Sequence, residues 1–324
     1  MTPISNARVL FSAVPKETTV YDISQTIDLE SVALNGGFLI KTLVLSIDPY
    51  MRGRMTSPDV KSYSVPFALG APIVGYGVGV VLRSDHRDVA KGKYVYGRII
   101  PHQEYSVLPN LEGLIFLEKD PHLNWTVYVG AAGMPGKKAY MGWKEFSQAK
   151  KGEVAFITTG AGTMMIQLAK RDGLKVIASA GSEEKVEFVK EIGADVAFNY
   201  KTTDTREILA REGPIDIYWD NVGGDVLDAA LEHAAIYGRF LECGMISDLN
   251  NIYAKSLTMH GIMVMRLQPK YDTEFYVTIP RALAAGEIKY SEEVSRGLGT
   301  VGHAILRVQE GTNTAKAVVV VADE

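Results

Sequence analysis

The chain holds one cysteine, Cys243, among 324 residues. A lone cysteine closes no internal disulfide, so nothing argues for an oxidising compartment and a cytoplasmic location is expected. Metal ligands are equally scarce. A structural zinc site draws four ligands, mostly cysteine, and a catalytic one draws three from the protein. The histidines (His86, His102, His122, His233, His260 and His303) stand apart, with no H-x-x-E-H or C-x-x-C spacing. The expectation is no metal, with each histidine a surface or hydrogen-bonded polar residue. No apolar run approaches the roughly 20 residues that span a bilayer. The N-terminal stretch lacks the basic region and long apolar core of a secretory signal. Net charge is small, at −4, which gives no general attraction to nucleic acid or to an anionic membrane. Internal repeats, low-complexity segments and obvious linkers are also missing.

What is present fits a globular protein: 47% hydrophobic and 22% charged residues, over a length that suggests about two domains. Up to about residue 125 the chain carries short strand-like runs, among them Phe38–Leu45, Gly75–Leu82 and Tyr94–Ile100, separated by turns as in a partly open barrel or sandwich. Residues 128–147 read as a connecting helix. Strands and helices then alternate, the mark of a parallel doubly wound sheet. The expected strands are Val154–Thr158, Leu174–Ser179, Asp195–Phe198, Ile215–Trp219, Arg239–Cys243 and Ser256–Met265. The expected helices are Met164–Arg171, Glu183–Gly193, Asp225–Ala235 and Tyr271–Ala285. In Glu183–Gly193 the spacing of Val186, Val189 and Ile192 makes one apolar face, and Gly193 suits the position just past the helix end. The tail ends in a Val-rich strand.

Within this alternating half, residues 154–185 carry the chemistry. Gly160 and Gly162 make a tight turn between a strand and a helix. A helix N-terminus leaving such a turn offers free N–H groups and a positive dipole end to a pyrophosphate. An NAD site carries Asp or Glu about 20 residues further on, for the ribose 2′-OH. Here Ala180, Gly181 and Ser182 stand there, followed by Lys185. The missing carboxylate and the nearby lysine suit a 2′-phosphate, hence NADPH. A G-x-G turn also occurs in purely structural crossovers, in which Lys185 would simply be solvated.

The run Leu45-Ser46-Ile47-Asp48-Pro49-Tyr50-Met51-Arg52-Gly53-Arg54-Met55 closely resembles the signature L-S-x-D-P-Y-M-R-G-R-M of the zinc-independent medium-chain dehydrogenases/reductases. That group includes leukotriene B4 dehydrogenase/prostaglandin reductase, plant double-bond reductases and curcumin reductase. Further pieces agree in order: Gly133-Met134-Pro135-Gly136, Ala180–Lys185, Phe198-Asn199-Tyr200-Lys201, Asp220-Asn221-Val222-Gly223-Gly224, Cys243-Gly244-Met245-Ile246-Ser247 and Gly311-Thr312-Asn313. The resemblance covers nearly the whole chain. It implies an α/β protein in which a Rossmann domain (128–289) is inserted in a GroES-like, strand-rich catalytic domain (1–127 and 290–324). It implies NADPH-dependent reduction of a carbon–carbon double bond conjugated to a carbonyl, in a 2-alkenal or enone substrate, and a homodimer. Lys185 matches the lysine that holds the 2′-phosphate, and Tyr200 a tyrosine close to it. Met134, Asn221 and Asn313 match cofactor contacts. Cys243, Gly244, Ile246 and Ser247 match a cofactor-facing strand end, and Ile262, Met263 and Val264 a segment beside the nicotinamide. The glycine loop before Gln167-Leu168-Ala169-Lys170 is about three residues shorter than the family pattern and lacks its third glycine. Similar shortfalls follow Pro15 and Asn250.

Such a reduction needs a hydrogen-bond donor for the oxyanion that develops on the carbonyl. Tyr50, in the signature run, is the first candidate for that catalytic role; packing of the turn is the alternative. Arg52 and Arg54 suit either a contact with substrate or cofactor, or an ion pair holding Asp48 or the domain interface. Tyr63, Phe67, Tyr76 and Tyr253 suit an apolar substrate slot or the core, with Tyr253 the next candidate donor. Cys243 reads as a small buried residue rather than a nucleophile. The rival functions are a quinone reductase, oxidation of a hydroxylated lipid, and a non-catalytic NADPH-binding stress or sensor protein.

Overall fold

Runs rich in Val, Ile, Phe and Tyr set the strands of the first third of the chain. They are β1 (Ile4–Ser5), β2 (Arg8–Phe11), β3 (Thr19–Asp22), β4 (Thr26–Ile27), β5 (Phe38–Ser46), β6 (Val74–Ser84), β7 (Tyr94–Pro101), β8 (Tyr105–Leu108) and β9 (Leu114–Leu117). One short helix, α1 (Tyr50–Arg54), lies between β5 and β6. After a 3-10 turn at Trp125–Val129, helices alternate with strands: α2 (Met134–Phe146), β10 (Val154–Thr158), α3 (Thr163–Arg171), β11 (Lys175–Ala180), α4 (Glu183–Glu191) and β12 (Val196–Asn199). There follow α5 (Thr205–Glu212), β13 (Ile215–Asp220), α6 (Gly224–Glu232), β14 (Ala234–Glu242), β15 (Thr258–Gly261) and α7 (Val264–Ala284). Last come β16 (Glu292–Arg296), α8 (Val301–Glu310) and β17 (Lys316–Val320). The computed structural model describes residues 3–12, 19–57, 59, 65–158, 162–243 and 258–323.

The chain divides into two units, Met1–Gly130 with Ser291–Glu324, and Ala131–Tyr290. In the first, a seven-stranded sheet runs β16-β17-β5-β6-β7-β9, with β8 beside β5. Strand β5 is buried at every position except the half-buried Lys41, which explains why its sequence is nearly continuous in apolar residues. Around it pack Val9, Phe11, Met51, Phe67, Ile73 and Val319. The last strand closes this sheet from far along the chain: Val318, Val319 and Val320 pair with Ser46, Leu45 and Val44.

The second unit is a six-stranded sheet in the order β12-β11-β10-β13-β14-β15, parallel throughout. This is the doubly wound Rossmann order, which reverses between the first strand, β10, and the fourth, β13. Phe156 stacks on Tyr218 with ring centroids 5.1 Å apart, inside a core with Leu209, Leu227 and Phe240. Local signals set the helix ends. Ser182 caps α4, Glu183 and Glu184 favour the positive end of its dipole, and Gly193 follows its last turn at φ 112°. The fold is therefore α/β, a Rossmann domain inserted in a GroES-like strand-rich domain.

Two expectations need correction. Among the described residues the strand expected over Ser256–Met265 covers only Thr258–Gly261, and the following helix starts at Val264, well before Tyr271. A continuous apolar run does not reveal its own period: after Gly261 the backbone leaves the sheet, and Val264 is buried inside the first helical turn. Likewise α6 stops at Glu232, because Ala234 already pairs with Ile215 in β14. No described helix is long and apolar enough to cross a membrane.

Candidate cofactor and active site

Parallel strands bring their C-terminal ends to one edge, where ligands bind in doubly wound sheets. Thr158 of β10 is opposite Ser179 of β11, and Asp220 of β13 is opposite Glu242 of β14. At the reversal point the Asn221 side chain donates from Nδ2 to the Thr158 carbonyl at 2.8 Å. Its backbone N–H donates to Thr158 Oγ1 at 2.8 Å, and that hydroxyl donates to the Trp219 carbonyl at 3.1 Å. Asn221 thus bridges β10 and β13. Asp220 Oδ1 shapes the turn that carries it, accepting from the N–H groups of Val222 (2.7 Å) and Gly223 (2.8 Å) and from the Tyr218 hydroxyl (3.0 Å).

Helix α3 begins at Gly162 with no side-chain cap, so its first N–H groups lack that intramolecular acceptor. A Cβ at Gly162 would lie 2.5 Å from the Thr158 carbonyl oxygen; only glycine lets the helix start this close to the strand end. At the tip of β11 stand Ala180, Gly181 and Ser182, with no carboxylate. Ser182 Oγ accepts from the Lys185 N–H at 3.4 Å, which places Lys185 in the first turn of α4. The nearby Glu183 carboxylate is engaged elsewhere, accepting from Asn199 Nδ2 at 2.7 Å. Tyr200 is anchored by its N–H to the Ala180 carbonyl at 3.1 Å. A Cβ on Gly181 would lie 2.9 Å from the Tyr200 hydroxyl. Gly181, Ser182, Lys185 and Tyr200 therefore gather around one strand tip.

Beside them, the Cys243 N–H donates to the Asp220 carbonyl at 2.8 Å, and the Ile262 N–H to the Glu242 carbonyl at 3.2 Å. Lys138 Nζ donates to the Cys243 carbonyl at 3.3 Å. Met263 and Val264 open α7, and the half-buried Met134 opens α2. Burial pushes the Cys243 thiol up to about 12, which favours the protonated form. Gly160, Gly244, Ile246, Ser247 and Tyr253, with Tyr63, lie outside the described residues.

In the other unit Tyr50 opens α1. Its ring stands edge-on to Tyr76 at 6.3 Å, and Tyr76 stacks on Tyr96 at 5.7 Å. Burial first, then the Asp48 charge, raises the Tyr50 phenol well above its usual range, so it remains a neutral hydrogen-bond donor. Arg54 does not hold Asp48. Its Nε donates to the Val65 carbonyl at 2.9 Å and its guanidinium lies 4.2 Å from the Phe67 ring centroid, while Lys316 Nζ holds Asp48 at 3.1 Å. Phe67 and Tyr76 belong to the buried core. Asn313 donates from Nδ2 to the Ala315 carbonyl at 2.9 Å. His102 is the exception among the histidines: it is fully buried, and neither ring nitrogen has a partner among the described residues. Its backbone explains this, since bonds to Ile73 and Val9 carry the side chain into the sheet interior. Burial lowers its pKa to about 3 and keeps it neutral.

Sequence reasoning missed two groups. Lys138 follows a helix-start motif and carries no signal of its own. Glu242 meets Asp220 only through strand register, although its place just before Cys243 marks it as a strand end. Among the described residues no three His, Cys, Asp or Glu side chains group as metal ligands.

Two families match the chain: "Zinc-binding dehydrogenase" over residues 160–277 and "N-terminal domain of oxidoreductase" over residues 20–115. The chain is 38% identical to the 2-alkenal reductase (NADP(+)-dependent) of Nicotiana tabacum, with 99% of each chain covered. It is 37% identical to the (+)-pulegone reductase of Mentha piperita, over 90% of this chain and 89% of the other. The crystal structure of CurA in complex with NADPH, from Vibrio vulnificus, superposes with a TM-score of 0.85 at 30% identity, covering 98% of this chain and 100% of that one.

Proposed function

The chain belongs to the medium-chain dehydrogenase/reductase family, among its NADPH-dependent double-bond reductases, and from that premise we propose that it reduces the C=C bond of α,β-unsaturated aldehydes and ketones. It is an NADPH-dependent oxidoreductase acting on carbon–carbon double bonds. The choice of a 2-alkenal or enone rests chiefly on likeness to a 2-alkenal reductase along the full chain.

The residues at the sheet edge fit the cofactor. The uncapped start of α3 at Gly162, with Gly160 before it, receives the pyrophosphate. Ser182, Lys185 and Tyr200 surround the 2′-phosphate, where a carboxylate would repel it. Asn221, Met134, Cys243, Gly244, Ile246, Ser247, Ile262, Met263, Val264 and Asn313 complete the cofactor contacts. When bound, NADPH supplies a hydride for the electron-poor carbon of the substrate. Tyr50 donates a hydrogen bond to the carbonyl oxygen as negative charge gathers there, and Arg54 and Tyr253 border the substrate. With donors of this kind no zinc is needed. The protein acts in the cytoplasm, as a homodimer.

The test is NADPH consumption, before and after exhaustive chelation, with a 2-alkenal, an alkenone, a quinone and a saturated aldehyde. Turnover of the alkenal and alkenone but not the saturated aldehyde, unchanged by chelation, is expected. Turnover of the quinone alone would make the protein a quinone reductase. No turnover despite NADPH binding would make it a sensor, and stoichiometric zinc lost together with activity would end the metal-free mechanism.

A further inference from the structure

The β13–β14 ladder ends on two acids. Asp220 and Glu242 are direct register partners on neighbouring parallel strands, so their side chains leave the same face of the sheet. They are 0% and 5% exposed. Asp220 Oδ1 is engaged by the Val222 and Gly223 N–H groups and the Tyr218 hydroxyl. Asp220 Oδ2 and both carboxyl oxygens of Glu242 have no donor among the described residues.

Among the described residues the neighbours offer no cation to the pair. From β13 come Asp220 itself and the Tyr218 hydroxyl, already spent on Oδ1. Beyond β14 lies the protonated Cys243 thiol. From α2, Lys138 directs its ammonium to the Cys243 carbonyl. On the far side β15 places Gly261 opposite Glu242. His260 pairs with Leu241, which points to the other face, and stacks on Phe146. Helix α6 carries Asp225 in its first turn, another negative charge. Two carboxylates cannot sit side by side in such a place, whereas one proton between them turns repulsion into a strong O–H···O⁻ bond. In keeping with this, burial and the Asp220 charge push Glu242 up to about 8.

We propose that Asp220 and Glu242 share one proton, and that this acid pair positions the Asn221–Gly223 turn for the cofactor, a role that rests on the reading of this edge as the NADPH site. Asp220 is the link. Its Oδ1 builds the turn, and its Oδ2 is the oxygen left to face Glu242. When the shared proton leaves, like charges push Asp220 away and loosen the turn that aims the Asn221 amide. Glu242 is thus a positioning residue, acting through Asp220.

The experiment compares wild type with Glu242→Gln in two measurements. The first is thermal melting without cofactor from pH 5 to 9.5. From the ordinary glutamate value of 4.5 up to about 8, the unfolded chain releases a proton that the native chain keeps. The folding equilibrium of wild type therefore weakens by up to about tenfold per pH unit relative to Glu242→Gln, then runs parallel to it above pH 8. The second is NADPH affinity by fluorescence titration, with KM and kcat beside it. Between pH 7.5 and 9.5 wild type should lose about fivefold or more in NADPH affinity, while kcat stays nearly level. Glu242→Gln, whose amide is a permanent donor, should show no such loss.

Identical pH dependence of the two melts would overturn the shared proton. Different melts with the same affinity profile would overturn the positioning role. Should Glu242→Gln fail to fold, a carboxyl ¹³C titration of wild type decides: a Glu242 resonance moving near pH 8 supports the proposal, and one moving in the ordinary glutamate range overturns it. If neither protein binds NADPH at any pH, the cofactor reading falls and takes the positioning role with it, while the melts still report the proton.

Discussion

Lys185→Ala is expected to raise KM for NADPH by about 10- to 150-fold and to leave KM for NADH nearly unchanged. That range corresponds to one charge-assisted hydrogen bond of roughly 1.5–3 kcal/mol. The asymmetry follows from the strand tip. In the proposed site only NADPH brings a phosphate to Gly181 and Ser182, and Glu183, an acid of the same helical turn, is occupied by Asn199 at 2.7 Å. The effect should shrink with added salt, as for any contact between partly exposed charges. Steady-state kinetics with each cofactor and a fixed enal provide the measurement. A wild type that used both cofactors equally well, or a variant that lost both equally, would remove Lys185 from cofactor choice.

Tyr50→Phe is expected to lower kcat by about 100-fold, the usual loss when one oxyanion donor is removed, with KM changed little. A donor that strengthens its bond only as charge develops acts on kcat rather than on ground-state binding. The setting favours this role. The phenol is held above its usual range, first by burial and then by the Asp48 charge, so it does not ionise at working pH and always offers its hydrogen. The Tyr76 ring stands against it edge-on, and phenylalanine preserves that contact. A thermal melt equal to wild type would exclude unfolding. Unchanged kcat in the folded variant would pass the donor role to the cofactor ribose or to Tyr253.

How much of this was legible in sequence differs between the two units. The doubly wound half was readable because each strand is a short apolar run stopped by a turn residue: Val154–Thr158 is strand β10 end to end, and Gly193 closes the α4 segment with positive φ. Its errors were of two kinds: helix α5, Thr205–Glu212, went unread because Ile208, Leu209 and Ala210 are its only apolar residues, and at Ile262–Val264 an apolar run lost its period. In the other unit β16 was invisible, since Glu292-Glu293-Val294-Ser295-Arg296 carries one apolar residue and becomes a strand only by pairing with β17. The strand tip around Lys185 could be read from neighbours in sequence. The partners of Asp48 and Asp220 could not. Lys316 reaches Asp48 across 268 positions, and Glu242 faces Asp220 through the register of two strands. Contacts of that kind are decided by topology, and local pattern does not contain it.

The long reach of β17 also governs the order in which the protein takes shape during synthesis. Ile47 waits for Lys316, 269 positions later, to donate to its carbonyl. At about 5–20 residues per second that delay is roughly 15–55 s. The parallel sheet, whose strands all lie between Val154 and Gly261, leaves the ribosome in the meantime with its partners already made. The N-terminal strand β5, almost wholly apolar, spends the same interval with one edge unpaired by its final neighbour. This is the period in which a nascent chain is most open to wrong pairing and to capture by a chaperone.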